Sequence, residues 1–117
     1  MFRQITSLVL VLSAIFIIGS VNTSAQTRVR FAPGRYSATV SGSLAYNHYR
    51  EYVVRARAGQ SLIARVTSGN GGVVIAENYE TQYFLDLNED GDYTVQIMNT
   101  SATTWYRLTI TIVKTPR

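Results

Sequence analysis

The sequence predicts an all-β protein, a single antiparallel β-sandwich of about eight strands that follows an N-terminal signal peptide. Three observations predict it. Apolar residues alternate with polar ones at period two in segment after segment, as in Tyr52-x-Val54-x-Ala56 and Tyr106-x-Leu108-x-Ile110-x-Ile112. Turn-forming Gly, Pro, Asn and Asp punctuate these segments at intervals of about ten residues. No segment after the N-terminal stretch carries the 3.6-residue period of an amphipathic helix.

Residues 1–25 read as a signal peptide rather than as fold. Arg3 supplies the positive n-region, Ile5 to Ile18 is an apolar run broken only by Thr6, Ser7 and Ser13, and Thr23-Ser24-Ala25 offers small residues for cleavage before Gln26. The run falls short of the roughly 20 residues that span a bilayer, so no stable membrane insertion is expected after cleavage. Removing it from 117 residues leaves 117 − 25 = 92, which makes residues 26–117 one small domain in a periplasmic or extracellular setting. Cysteine is absent, so neither disulfides nor thiol chemistry is available and the domain must stand on its apolar core. Without Arg3, ten basic residues face seven acidic ones, and Lys114 is the only lysine among them. Export and the lack of any run of three basic residues argue against nucleic acid as a partner.

The strands follow in order. Arg28 to Phe31 is short, with Val29 and Phe31 inward, and Pro33-Gly34 turns the chain. Tyr36, Ala38 and Val40 form the inner face of the next strand, which Gly42 closes, and Ala45 to Tyr49 leads onward. Tyr52 to Thr67 reads as a hairpin whose strands meet at Ala58-Gly59-Gln60; a three-residue loop pairs Ala56 with Leu62 and needs positive φ near Gly59. Ser68-Gly69-Asn70-Gly71-Gly72 is the most flexible loop, and Val73 to Ala76 a short buried strand. Tyr83, Leu85 and Leu87 alternate, Asn88-Glu89-Asp90-Gly91 carries the Asp-Gly hairpin signature, and Tyr93, Val95 and Ile97 are the inner set after it. The last strand puts Tyr106, Leu108, Ile110 and Ile112 in, and Arg107, Thr109 and Thr111 out. From these parities Tyr52, Val54, Leu62, Ala64, Val66, Tyr93, Val95, Ile97, Leu108 and Ile110 are expected to be buried together.

Two stretches carry a family resemblance. Val29-x-Phe31-x-x-Gly34-x-x-Ser37-Ala38-x-x-Ser41-Gly42, followed by Tyr49-x-x-Tyr52 and Gly59-Gln60, resembles the N-terminal half of bacterial periplasmic inhibitors of g-type lysozyme. Ala58-Gly59-Gln60, Gly91-Asp92-Tyr93 and Tyr106-Arg107-Leu108-Thr109-Ile110 are similar to pre-peptidase C-terminal β-sandwich domains. The inhibitor resemblance implies a non-enzymatic periplasmic protein whose Tyr/Arg loop occludes the saccharide cleft of a lysozyme-like glycoside hydrolase, with Tyr49 as the contact position that aligns. The segment from Ser68 to Asn88 is shorter than the corresponding part of those inhibitors, and the connection before Tyr106 lacks their basic loop residues.

The partner-binding candidates are Tyr46, His48, Tyr49 and Arg50, where rigid amphipathic rings stand beside a guanidinium, together with Trp105 and Arg107. Trp105 shares the outward parity of Arg107 and serves either as an anchor, for a protein or for a sugar ring, or as cover for a sheet edge. An envelope polysaccharide is therefore the alternative partner. Arg28, Arg30, Arg55, Arg57, Arg65 and Arg107 all point outward and make one broad basic face if their strands share a sheet. Asp86-x-Asn88-x-Asp90-Gly91-Asp92 copies the opening of a calcium loop, but its twelfth position is Ile97 where a bidentate glutamate belongs, so an acidic turn is expected, without metal or other cofactor. His48 is the single histidine, and Glu51, Glu77 and Glu80 are scattered, which leaves no nucleophile–base pair for an enzyme.

Overall fold

The computed structural model describes residues 26–115; the signal-peptide reading of residues 1–25 lies outside them. Eight strands form two four-stranded sheets: β1 (Gln26–Arg28), β2 (Ser37–Leu44), β3 (Tyr49–Ala56), β4 (Gln60–Ser68), β5 (Val73–Ile75), β6 (Gln82–Asp86), β7 (Gly91–Asn99) and β8 (Thr104–Lys114). The first sheet has the order β1-β3-β7-β5 and the second β2-β8-β4-β6. All ladders are antiparallel except β1 on β3, which is parallel. Among the described residues, no helix is long and apolar enough to cross a membrane.

Odd-numbered strands lie in one sheet and even-numbered strands in the other, so every connection crosses the sandwich. The predicted hairpin of Tyr52 to Thr67 is therefore not a hairpin. β3 pairs with β7 and β1, β4 pairs with β8 and β6, and Ala56 and Leu62 share the core from opposite sheets. The turn itself is as expected. Gly59 has φ 86, and the Gln60 amide donates to the Arg57 carbonyl at 3.2 Å. Asn88 to Gly91 likewise joins β6 to β7 across the sheets rather than within one.

The predicted core forms between the sheets. Val54, Leu62, Ala64, Val66, Val95, Ile97, Leu108 and Ile110 are all at most 1% exposed, and Tyr52 is buried beside them. Tyr93 is only half-buried, at the end of β7, where it packs on the core and donates its hydroxyl to the Glu89 carbonyl. Two further expectations change. Tyr36 is 72% exposed, because β2 starts at Ser37 and only Ala38 and Val40 reach the core. Gly42 does not end its strand, which runs on to a buried Leu44. The three-residue strands β1 and β5 form the edges of the first sheet, and edges this short give another chain little to pair with.

Candidate functional site

The direction of the strands sorts the loops into two ends. The turn between β2 and β3, the glycine loop between β4 and β5, and the turn between β7 and β8 meet at one end. There the Asn47 amide donates to the Asn99 carbonyl at 2.8 Å and the Thr100 amide to the Gly72 carbonyl at 2.8 Å. The fold brings Trp105, which pairs with Ser43 across the β2–β8 ladder, to the same end as the contiguous Tyr46, His48, Tyr49 and Arg50.

Asn99 holds these loops in place, and sequence reasoning did not single it out. Its side chain is fully buried, donates to the carbonyls of Leu44 (2.8 Å) and Ala102 (2.9 Å), and accepts the amide of Ser101 (2.9 Å). The signal was available: Asn99 continues the inward parity of Tyr93, Val95 and Ile97, and a polar residue there must find partners. In the β2–β3 turn, the His48 amide bonds the Ala45 carbonyl at 3.1 Å and Asn47 sits at φ 65, a conformation asparagine tolerates better than most residues. Tyr46, at the tip, is 63% exposed.

Arg50 differs from its neighbours. It faces inward from β3, half-buried, and its Nη1 donates to the Tyr106 hydroxyl at 3.0 Å, with the guanidinium 5.8 Å from the Tyr106 ring centre. The Tyr106 hydroxyl also meets that of Tyr52 at 2.5 Å. Burial first, and then the hydrogen bond to Tyr106, push the Tyr52 hydroxyl well above the ordinary tyrosine pKa. Gly42 makes room for this cluster: a Cβ there would stand 2.9 Å from the Tyr106 hydroxyl and 3.1 Å from Arg50 Nη1. Arg50 is thus a half-buried cation anchored on Tyr106.

Tyr49 and Trp105 flank this end from opposite outer faces. Tyr49 is 46% exposed on the first sheet, opposite Met98. Trp105 is 54% exposed on the second sheet, on an interior strand rather than an edge, so it covers no edge. Its indole packs on Gly69, and the Arg107 guanidinium lies 5.9 Å from its ring centre.

The arginines do not make one basic face. Arg28 and Arg55 belong to the first sheet and Arg65 and Arg107 to the second, because consecutive strands alternate between the sheets. Arg28 is paired with Asp92 at 2.8 Å, and this hydrogen bond holds the Asp92 carboxyl below the usual range. The calcium-like run is divided too. Asp86 accepts from Ser61 (2.6 Å), Asp90 from the Ala58 amide (2.8 Å) and Asp92 from Arg28. Among the described residues no three His, Cys, Asp or Glu side chains converge as a metal site.

No protein-family model matches the chain, and no curated protein matches it in sequence. Solved structures do match. PliG of Aeromonas hydrophila, a periplasmic inhibitor of g-type lysozyme, is 19% identical at a TM-score of 0.61, covering 75% of this chain and 96% of its own. The inhibitor of the same name from Salmonella Typhimurium is 24% identical at 0.57, covering 77% and 99%. A mutant of the Escherichia coli inhibitor is 24% identical at 0.56, with the same coverage. Nearly the whole length of each inhibitor is matched, so this chain has the fold of the periplasmic inhibitors of g-type lysozyme.

Proposed function

We propose that the chain is a periplasmic binding protein that inhibits a lysozyme-like glycoside hydrolase, and that it acts without chemistry of its own. The observation that carries this reading is the end-to-end fold likeness to three inhibitors of g-type lysozyme. The exposed rings of Tyr46 and Tyr49 and the guanidinium of Arg50 suit a saccharide cleft: rings stack where sugars would, and a fixed cation pairs with an acidic catalytic side chain. Because Tyr106 fixes Arg50 and Asn99 fixes the backbone of the turn that carries Tyr46, less conformational entropy is lost on docking.

The test is a cell-wall lysis assay in which the purified protein is titrated against g-, c- and i-type lysozymes. The g-type enzyme should be inhibited, and Tyr49→Ala should weaken inhibition by about 2 kcal/mol, or roughly thirtyfold, without altering the melting curve. Added salt should slow association more than it speeds dissociation. Absence of inhibition for every lysozyme class would reduce the likeness to a shared scaffold.

One observation favours a second reading, the binding of an envelope polysaccharide. Trp105 stands on an open sheet face beside Ser43 and one row from Ser41 and Thr67, and hydroxyl rows with an exposed indole suit a sugar chain. Loss of peptidoglycan retention in Trp105→Ala, with little salt dependence and unchanged lysozyme inhibition, would support it.

A further inference from the structure

The opposite end of the sandwich holds a cleft that plays no part in the reading above. Its volume is about 450 Å³, within the range of small-molecule sites, and Arg35, Arg55, Arg57, Tyr36, Gln60 and Asp90 line it over a floor that includes Ile112. A second hollow of about 310 Å³ adjoins it through the shared Phe31 and Arg55 and adds Arg28 and Arg30. Two turns build the wall. Ala32-Pro33-Gly34-Arg35 closes with the Arg35 amide on the Ala32 carbonyl at 2.9 Å and Gly34 at φ 76, which sets Arg35 at the rim. The Arg57–Gln60 turn, tied by the Arg57 amide to Gln60 Oε1 at 2.7 Å, presents Arg57 opposite.

The charges here are unequally matched. Asp92 takes up Arg28, and Arg55 at a looser 3.8 Å. Arg30, Arg35 and Arg57 enter no ion pair among the described residues, although Glu89 and Asp90 stand on the neighbouring turn. Asp90 gives one carboxylate oxygen to the Ala58 amide and keeps the other for a donor. Tyr36 contributes an open ring face, 72% exposed.

We propose that this cleft binds a phosphate-bearing sugar. Planar guanidiniums match the oxygens of a phosphate two at a time, the tyrosine ring takes the apolar face of a pyranose, and Asp90 accepts from its hydroxyls. A bare inorganic anion would use only the arginines and leave Tyr36 and Asp90 idle. The site depends on nothing at the lysozyme-facing end, so failure of either proposal leaves the other standing.

Titration of the purified protein with glucose 1-phosphate, followed by backbone-amide NMR and calorimetry, tests it. At millimolar ligand, shifts should concentrate on residues 30–36 and 56–60. Arg35→Ala and Arg57→Ala should each weaken binding roughly tenfold or more, Tyr36→Ala should weaken it for glucose 1-phosphate but not for inorganic phosphate, and lysozyme inhibition should not change. Glucose should not bind. Equal affinity for glucuronate would overturn the phosphate assignment, and equal affinity for inorganic phosphate would overturn the sugar. Binding to phosphatidylglycerol vesicles that glucose 1-phosphate does not displace would assign the arginines to a lipid surface instead. Shifts scattered over all surface arginines, or binding unaffected by both arginine variants, would mean there is no site.

Discussion

Tyr106 shows how much can rest on a single hydroxyl. One oxygen at the rim of the core receives the Arg50 guanidinium and meets the Tyr52 hydroxyl. Tyr106→Phe keeps the ring and removes the oxygen, which leaves two polar groups short of a partner, so a loss of about 1–3 kcal/mol is expected in denaturant unfolding. The same cluster makes stability sensitive to alkali. The Tyr52 pKa is raised in the folded state, chiefly by burial, so its contribution is intact below about pH 10 and is lost as pH rises, because the unfolded chain releases that proton first. The denaturation midpoint of the wild type should hold up to about pH 10 and fall above it, and that of Tyr52→Phe should fall less. Gly42→Ala would press a methyl group into this cluster. Asn99→Ala strips partners from the Leu44 and Ala102 carbonyls and the Ser101 amide; it should lower stability by about 1–3 kcal/mol and, by loosening the turns around Tyr46, weaken binding at that end.

At the scale of elements, period-two alternation shows which side of a strand faces inward but not which strand lies beside it. Two strands with matching apolar faces satisfy the pattern equally well side by side or facing each other across a core. That is why the inner sets of β3, β4 and β8 were legible in the sequence while the partner of each was not. Turn chemistry is similarly local. Gly59 at φ 86 meets the expected need for a left-handed residue, yet the turn serves a crossing between sheets as readily as a hairpin. The site was partly legible for the same reason: Tyr46, Tyr49 and Trp105 announce themselves by type, whereas the inward role of Arg50 depends on meeting Tyr106 from the other sheet. Two variants check these assignments. Leu108→Ala opens a cavity in the shared core and should cost about 2–5 kcal/mol. Gly59→Ala meets no atom within 4 Å, so its cost should be conformational alone, about 1–2 kcal/mol, with the spectrum of the folded state preserved.

The whole molecule separates its two candidate surfaces by the length of its strands, with the tyrosine-bearing turns at one end and the arginine cleft at the other. Its alternating topology has a further consequence, for the way the chain acquires its structure. With no ladder between successive strands, almost no pairing forms early; β2 finds its ladder only on β8, the last strand to be made. Loop closure must precede nearly every contact, so refolding should take milliseconds to seconds rather than microseconds, as stopped-flow fluorescence of Trp105 would show. Removal of residues 104–115 should abolish folding outright, since β2 and β4 lose the strand between them. Because β2 has no ladder partner until β8 is available, the second sheet closes only after the last strand is made, and one face of the core stays open until then.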